Sequence, residues 1–266
     1  MTDTGWTITT DSDDPIVATA IHAGHRLRPD VVRLTALDDD VRLREEDPFT
    51  NRWLPISKNQ VGVRTSRFEV DVNRPRDGAV YLDSDAAWAL DLWTSPLPDD
   101  VIKESLAEYD AFYQDLAAVC DEVAANHPRF VVLDLHSYNH RRGGPDAPVD
   151  DPDLNPEVNV GTGTVDSEQW AEVVDAFSTA MREAPFDGGH LDVRENVRFK
   201  GGYMSRWINE RYAGRGCALA IEMKKIFMDE WTGEVDEAVL AEIGDALSTA
   251  TDAVRDVLAS PPTAVR

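Results

Sequence analysis

The chain has 266 residues, of which 50 are acidic and 26 basic, giving a formal net charge of −24. That length is enough to bury a sizeable core in one α/β domain, and so acidic a surface repels nucleic acid and anionic membrane while suiting solubility at high salt. No apolar run reaches membrane length, and the first residues lack a basic region followed by an apolar one, so a soluble, cytoplasmic protein without nucleic-acid or membrane partners is expected.

Residues 6–10 read as a short strand and residues 15–21 as a second, apolar one that runs straight into His22, Gly24 and His25. Pro29 opens a helix expected to reach about Leu37. An acidic loop follows, in which Asp38 to Asp40 read as solvated, whereas Glu45, Glu46 and Asp47 are crowded by Arg44, Pro48, Phe49 and Trp53. Residues 62–72 alternate as a strand does, with Val70 and Val72 on one face and Arg67, Asp71 and Asn73 largely on the other. Arg74 before Pro75 places a guanidinium in a turn, which suits bidentate capture of a carboxylate.

Between 98 and 126 apolar residues recur at helical steps, among them Ile102, Leu106, Tyr109, Tyr113, Leu116, Cys120 and Val123. Cys120 on this face and Cys217 before a buried strand are expected as reduced core thiols. Residues 130–135 form an apolar strand broken by Asp134 and followed by His136, the first of two such interruptions. Residues 139–157 have loop composition throughout, with a Gly143-Gly144 pair, and are expected to act as a lid over a binding site. A short strand at 158–162, a helix at 167–184, an extended stretch at 193–199 and a helix at 204–212 follow. The strand at 217–225 carries the second interruption, Glu222, on the same face as the small residues Ala218 and Ala220. A helix at 236–258 closes the chain. Alternating helices and strands predict one domain with a central, mixed but mostly parallel sheet covered by helices on both faces.

Ligands in such sheets bind outside the carboxyl ends of the parallel strands, and His22, His136 and Glu222 all fall at strand ends. A catalytic zinc site needs about three His or carboxylate ligands with one position open. His22, His136 and a carboxylate of the acidic loop meet that need.

The order of these parts resembles the zinc carboxypeptidase-like superfamily and, within it, the N-formylglutamate amidohydrolase family. The residues that carry the resemblance are Ile21-His22-Ala23-Gly24, Arg44 to Thr50, Ser66-Arg67-Phe68 with Asp71 to Arg74, Asp134 to Tyr138, and Ile221-Glu222-Met223. It implies one zinc ion per chain, bound by His22, His136 and Asp47, with Glu46 as the alternative to Asp47. His25 stands where carboxypeptidases carry a glutamate ligand, and is read as a surface residue, with a fourth ligand or a supporting donor as the alternatives. The resemblance further implies that Glu222 is the general base and acid, that Arg67 stabilises the oxyanion, and that Asn73 and Arg74 clamp a substrate carboxylate. The expected reaction is hydrolysis of the amide of an N-acyl amino acid or a short peptide-like substrate. The alternatives are a carboxypeptidase or deacylase acting on larger substrates, and a catalytically silent carboxylate-binding protein of the same fold.

Overall fold

Strands form where β-branched and other apolar residues run together. The computed structural model, which describes residues 4–260, contains nine: β1 (Trp6–Thr9), β2 (Ile16–Ala20), β3 (Asn59–Val63), β4 (Phe130–Tyr138), β5 (Val158–Gly161), β6 (Pro185–Phe186), β7 (Gly189–His190), β8 (Val193–Glu195) and β9 (Gly216–Lys224). Six α-helices alternate with them: α1 (Pro29–Val32), α2 (Asp39–Glu45), α3 (Asp99–Asn126), α4 (Ala171–Glu183), α5 (Tyr203–Arg211) and α6 (Glu237–Ala259). A 3-10 helix, Thr50–Ile56, packs beside β2.

Seven strands join one sheet in the order β1-β3-β2-β4-β9-β5-β8, while β6 and β7 form a separate hairpin. β3, β2, β4 and β9 are mutually parallel; β1 and β5 join them antiparallel, and β8 runs parallel to β5. The sheet is therefore the mixed, mostly parallel one expected, within a single α/β domain. After β2 the chain adds β3 on one side and then crosses back to place β4 on the other. That reversal opens a crevice at the carboxyl end of β2, where such sheets bind ligands.

Side chains alternate along a strand, and the two faces build two cores. Val131, Leu133 and Leu135 of β4, with Cys217, Leu219, Ile221 and Met223 of β9, pack against α4 and α6 through Phe177, Met181, Ile243, Leu247 and Val254. Phe130 and Val132 of β4, with Ala218 of β9, pack against α3 and α5 through Phe112, Leu116, Cys120, Met204 and Ile208. Both cysteines are buried and free, as the sequence predicts. Among the described residues no helix is long and apolar enough to cross a membrane.

The helix expected from Pro29 to Leu37 ends at Val32 instead. Thr35 forms a bridge to Trp93 and Ala36 N–H donates to Leu92 O, so the chain is drawn into extended pairing before a second turn can form. The acidic segment expected as a loop contains α2. The strand expected over 62–72 corresponds to β3, which stops at Val63. Beyond it the chain turns tightly, with Glu69 N–H and Val70 N–H both donating to Ser66 O, so the simple two-face alternation of Val70 and Val72 against Arg67, Asp71 and Asn73 does not apply.

Phe177 is fully buried between α4, α6 and the sheet. Phe177→Ala is expected to cost about 3–5 kcal/mol, read as a fall in the denaturant midpoint without a change in slope.

Candidate metal centre

His136 occupies the strand-end position that its parity dictates. Phe130 and Val132 take the same face into the α3 core, so Asp134 and His136 continue that face beyond the core. The register of β4 and β9 sets Asp134 beside Ala220 and His136 beside Glu222, so in this parallel pair carboxylate and imidazole share one face. The small side chain of Ala220 leaves room there. His22 follows β2 directly, and Asp47 arrives at the end of α2, its N–H donating to His22 O at 2.9 Å.

His22, Asp47 and His136 offer ligand atoms that all lie within 4.8 Å of one another, and all three are buried. The inner atoms converge on one carboxylate oxygen: Asp47 Oδ2 lies 2.9 Å from His136 Nδ1 and 3.5 Å from His22 Nδ1. Each outer nitrogen faces another acid. His22 Nε2 is 2.7 Å from Asp71 Oδ1, and His136 Nε2 is 3.0 Å from Asp134 Oδ2. Carboxylates behind metal-binding imidazoles fix the ring orientation and tautomer, and here both histidines have one.

The supporting acids are themselves saturated. Asp71 Oδ1 also accepts Asn73 N–H at 2.8 Å, and its Oδ2 accepts Arg67 Nη2 at 2.8 Å and the Tyr81 hydroxyl. Asp134 accepts Thr19 Oγ1 at 2.8 Å and Ser205 Oγ at 3.4 Å. Burial opposes the charge on Asp47, but hydrogen bonding to His136 and His22 overrides it and holds the carboxyl well below its ordinary range. For Asp71 burial is likewise overridden, here first by the charge of Arg67 and then by His22. Burial disfavours a charged His136, yet Asp134 and Glu222 raise its pKa well above the ordinary value. The site therefore calls for positive charge at its centre.

Two inward imidazole nitrogens and a carboxylate oxygen are the donor set of a catalytic zinc ion, and the surrounding acids favour a cation, so the residues present fit that group. Glu222 stands at the edge of the cluster. Burial pushes its carboxyl up to about 7, and among the described residues it forms no hydrogen bond or ion pair.

These residues border a cavity of about 380 Å³ that is also lined by Arg67, Asn73, Arg74, Trp88, Arg142, Arg198, Phe199, Lys200 and Lys225. Six of the 26 basic side chains of a strongly acidic chain thus face one hole. Arg67 lies under Trp88, its guanidinium carbon 4.7 Å from the ring centre. Trp88 and Ala89 both adopt left-handed backbone conformations, with φ of 54° and 65°, a costly arrangement for residues bearing a Cβ. Arg74 is half-exposed, and its Nε is 3.8 Å from Asp71. Asn73 also serves the fold, because its Oδ1 accepts Met204 N–H at 3.0 Å and caps the amino end of α5. Gly202 permits this, since a Cβ there would come within 2.3 Å of the Asn73 amide.

Glu46, the alternative ligand, turns away from the cluster. Its carboxylate binds His25 Nδ1 at 2.6 Å and the Ser66 hydroxyl. His25 is held outside the cluster by Glu46 and by Arg42, which donates to its carbonyl at 3.0 Å. Residues 139–157 border the cavity through Asn139 and Arg142, and their start is fixed by Glu230, which accepts the His140 and Arg141 N–H groups at 2.9 and 2.7 Å. Sequence reasoning gave no role to Asp134, Asp71, Tyr81, Asn139 or Lys225. For Asp134 a signal was available, because a residue two before His136 in a strand shares its face.

The same architecture occurs in an N-formylglutamate amidohydrolase from Ralstonia eutropha JMP134, at a TM-score of 0.77 and 16% identity over 96% of this chain and 98% of that one. A gene product of Agrobacterium tumefaciens aligns with a TM-score of 0.64 and 16% identity, over 96% of each chain. A metallo-carboxypeptidase from Burkholderia cenocepacia aligns at 0.37 and 18% identity over 92% of this chain and 57% of that one, a likeness too distant to carry weight. No curated protein matches the sequence. The first two of these solved structures show the fold class, an α/β domain. The sequence goes further: residues 14–228 match the N-formylglutamate amidohydrolase family, and the chain belongs to it. Membership makes it a hydrolase of amide bonds.

Because Asn73 both lines the cavity and caps α5, Asn73→Ala is expected to lower stability by about 1 kcal/mol, measurable by chemical unfolding in the absence of any substrate.

Proposed function

We propose that this chain is a zinc-dependent amidohydrolase that cleaves the amide of an N-acyl amino acid carrying a free carboxylate, N-formylglutamate being the compound its family name indicates. The observation that carries this reading is the convergence of His22, Asp47 and His136 on one point, with an unpartnered Glu222 beside them. Zinc bound at that point would supply Lewis acidity toward water and toward the amide carbonyl.

The rest is the work of side chains. Glu222, with a carboxyl poised near neutrality, accepts a proton from the attacking water and returns it to the departing amine nitrogen. Arg67 has committed Nη2 to Asp71 and Tyr81, but its Nε is buried without a hydrogen-bond partner among the described residues. Its guanidinium charge, held at the cavity wall, stabilises the oxygen that gains charge in the transition state. Arg74, half-exposed at the cavity wall, receives the substrate carboxylate, and Asn73 adds its free amide N–H groups. Trp88 and the lid formed by residues 139–157 restrict access of bulk water.

Four measurements test the reading. Metal analysis after repletion should return about one zinc per chain, and none would reject it. Glu222→Gln should retain zinc but lose about 10²–10⁴-fold in kcat; unchanged turnover would remove Glu222 from the mechanism. Arg74→Ala should raise KM about 10–100-fold with a smaller change in kcat. A panel of N-acyl amino acids of increasing acyl length, given to the zinc-loaded protein, separates a formyl-selective enzyme from a deacylase of larger groups.

A further inference from the structure

Asp47 reaches the cluster from α2, a helix of only seven residues, so something must hold the end of that helix against the sheet. The carbonyls of Arg44 and Glu46, on either side of the α2 terminus, both accept hydrogen bonds from Lys225 Nζ, at 2.6 and 2.7 Å. Asn139 Oδ1 accepts the third, at 2.9 Å. An ammonium has three donors, and all are used. Lys225 is only 1% exposed, and among the described residues no carboxylate lies within ion-pair distance of it. A buried ammonium is costly unless fully hydrogen-bonded, and here its partners are two backbone carbonyls and one amide.

The placement of those partners matters. Lys225 lies three residues beyond Glu222, and its own N–H donates to Tyr138 O at 3.0 Å. Asn139 lies three residues beyond His136. One side chain therefore ties together the segment that delivers Asp47, the exit of the strand that carries His136, and the end of the strand that carries Glu222. A positive charge at the carboxyl end of α2 is also favourable to that helix. On the reading of this site as a metal centre, we infer that Lys225 is a positioning residue: its ammonium fixes Asp47 at ligand distance from His136 and in place beside Glu222. Without it, the carbonyls of Arg44 and Glu46 lose their partner and the α2 terminus is released from the sheet.

The test is zinc affinity rather than turnover. Lys225→Met keeps the length and apolar stem of the side chain and removes its donors. Zinc dissociation constants are measured by chelator competition on the full-length protein, alongside the thermal midpoint of the metal-free chain. Support for the inference is a 10–100-fold weaker zinc affinity with the metal-free midpoint within a few degrees of wild type. A folded Lys225→Met that binds zinc as tightly as wild type overturns it. Should Lys225→Met fail to fold, Asn139→Ala removes one acceptor and leaves the ammonium in place; weaker zinc binding supports the clamp, and unchanged binding rejects it. Failure of wild type itself to bind zinc would instead reject the metal-centre reading on which the inference rests.

Discussion

The register between β4 and β9 is the constraint on which the site depends. It pairs His136 with Glu222 across nine consecutive matched positions, and alternation then decides which face they share. The opposite face of the same two strands is filled by Leu133, Leu135, Leu219, Ile221 and Met223. Sliding either strand by one residue would drive an imidazole or a carboxylate into that apolar layer and lift leucines into the cavity. The hydrophobic core on one face thus enforces the chemistry on the other.

Around that pair the protein has solved a problem of charge. Four carboxylates, Asp47, Asp71, Asp134 and Glu222, gather within a small volume, and two of them, Asp71 and Asp134, lie behind the imidazoles. Such a cluster is unstable without cations close by. Arg67 supplies one directly against Asp71, and the donors of His22, Asp47 and His136 fit another. The aspartates behind His22 and His136 and the ammonium behind the Asp47 segment have a common logic, in which each inner group is held by a partner at its back.

Much of this was legible in the sequence. The interruptions of apolar strands at His136 and Glu222 pointed to the strand-end site, because ionisable groups are rare inside a buried strand. The long helix at 99–126 and the final one were plain from their periodicity. Less was readable where tertiary contacts overrule local pattern. The turn after β3 alternates as a strand does, yet its Ser66 is drawn to Glu46, twenty residues away in sequence. No spacing rule distinguishes Asp47 from Glu46, and only the packing of α2 sends one inward and the other toward His25. Lys225 was invisible for a related reason, since two lysines ending an apolar strand look like a solvated terminus.

Six cations lining one cavity, within a chain of net charge −24, give the molecule two electrostatic ranges. Far from the surface an approaching anion meets the repulsion of the whole acidic envelope; within the opening it meets the arginine side chains that border the cavity. Dissolved salt shortens the first interaction far more than the second, because screening acts over about 8–10 Å at ordinary ionic strengths. Adding salt should therefore make entry of a small anion easier, the reverse of the behaviour of enzymes whose outer surface attracts what they bind.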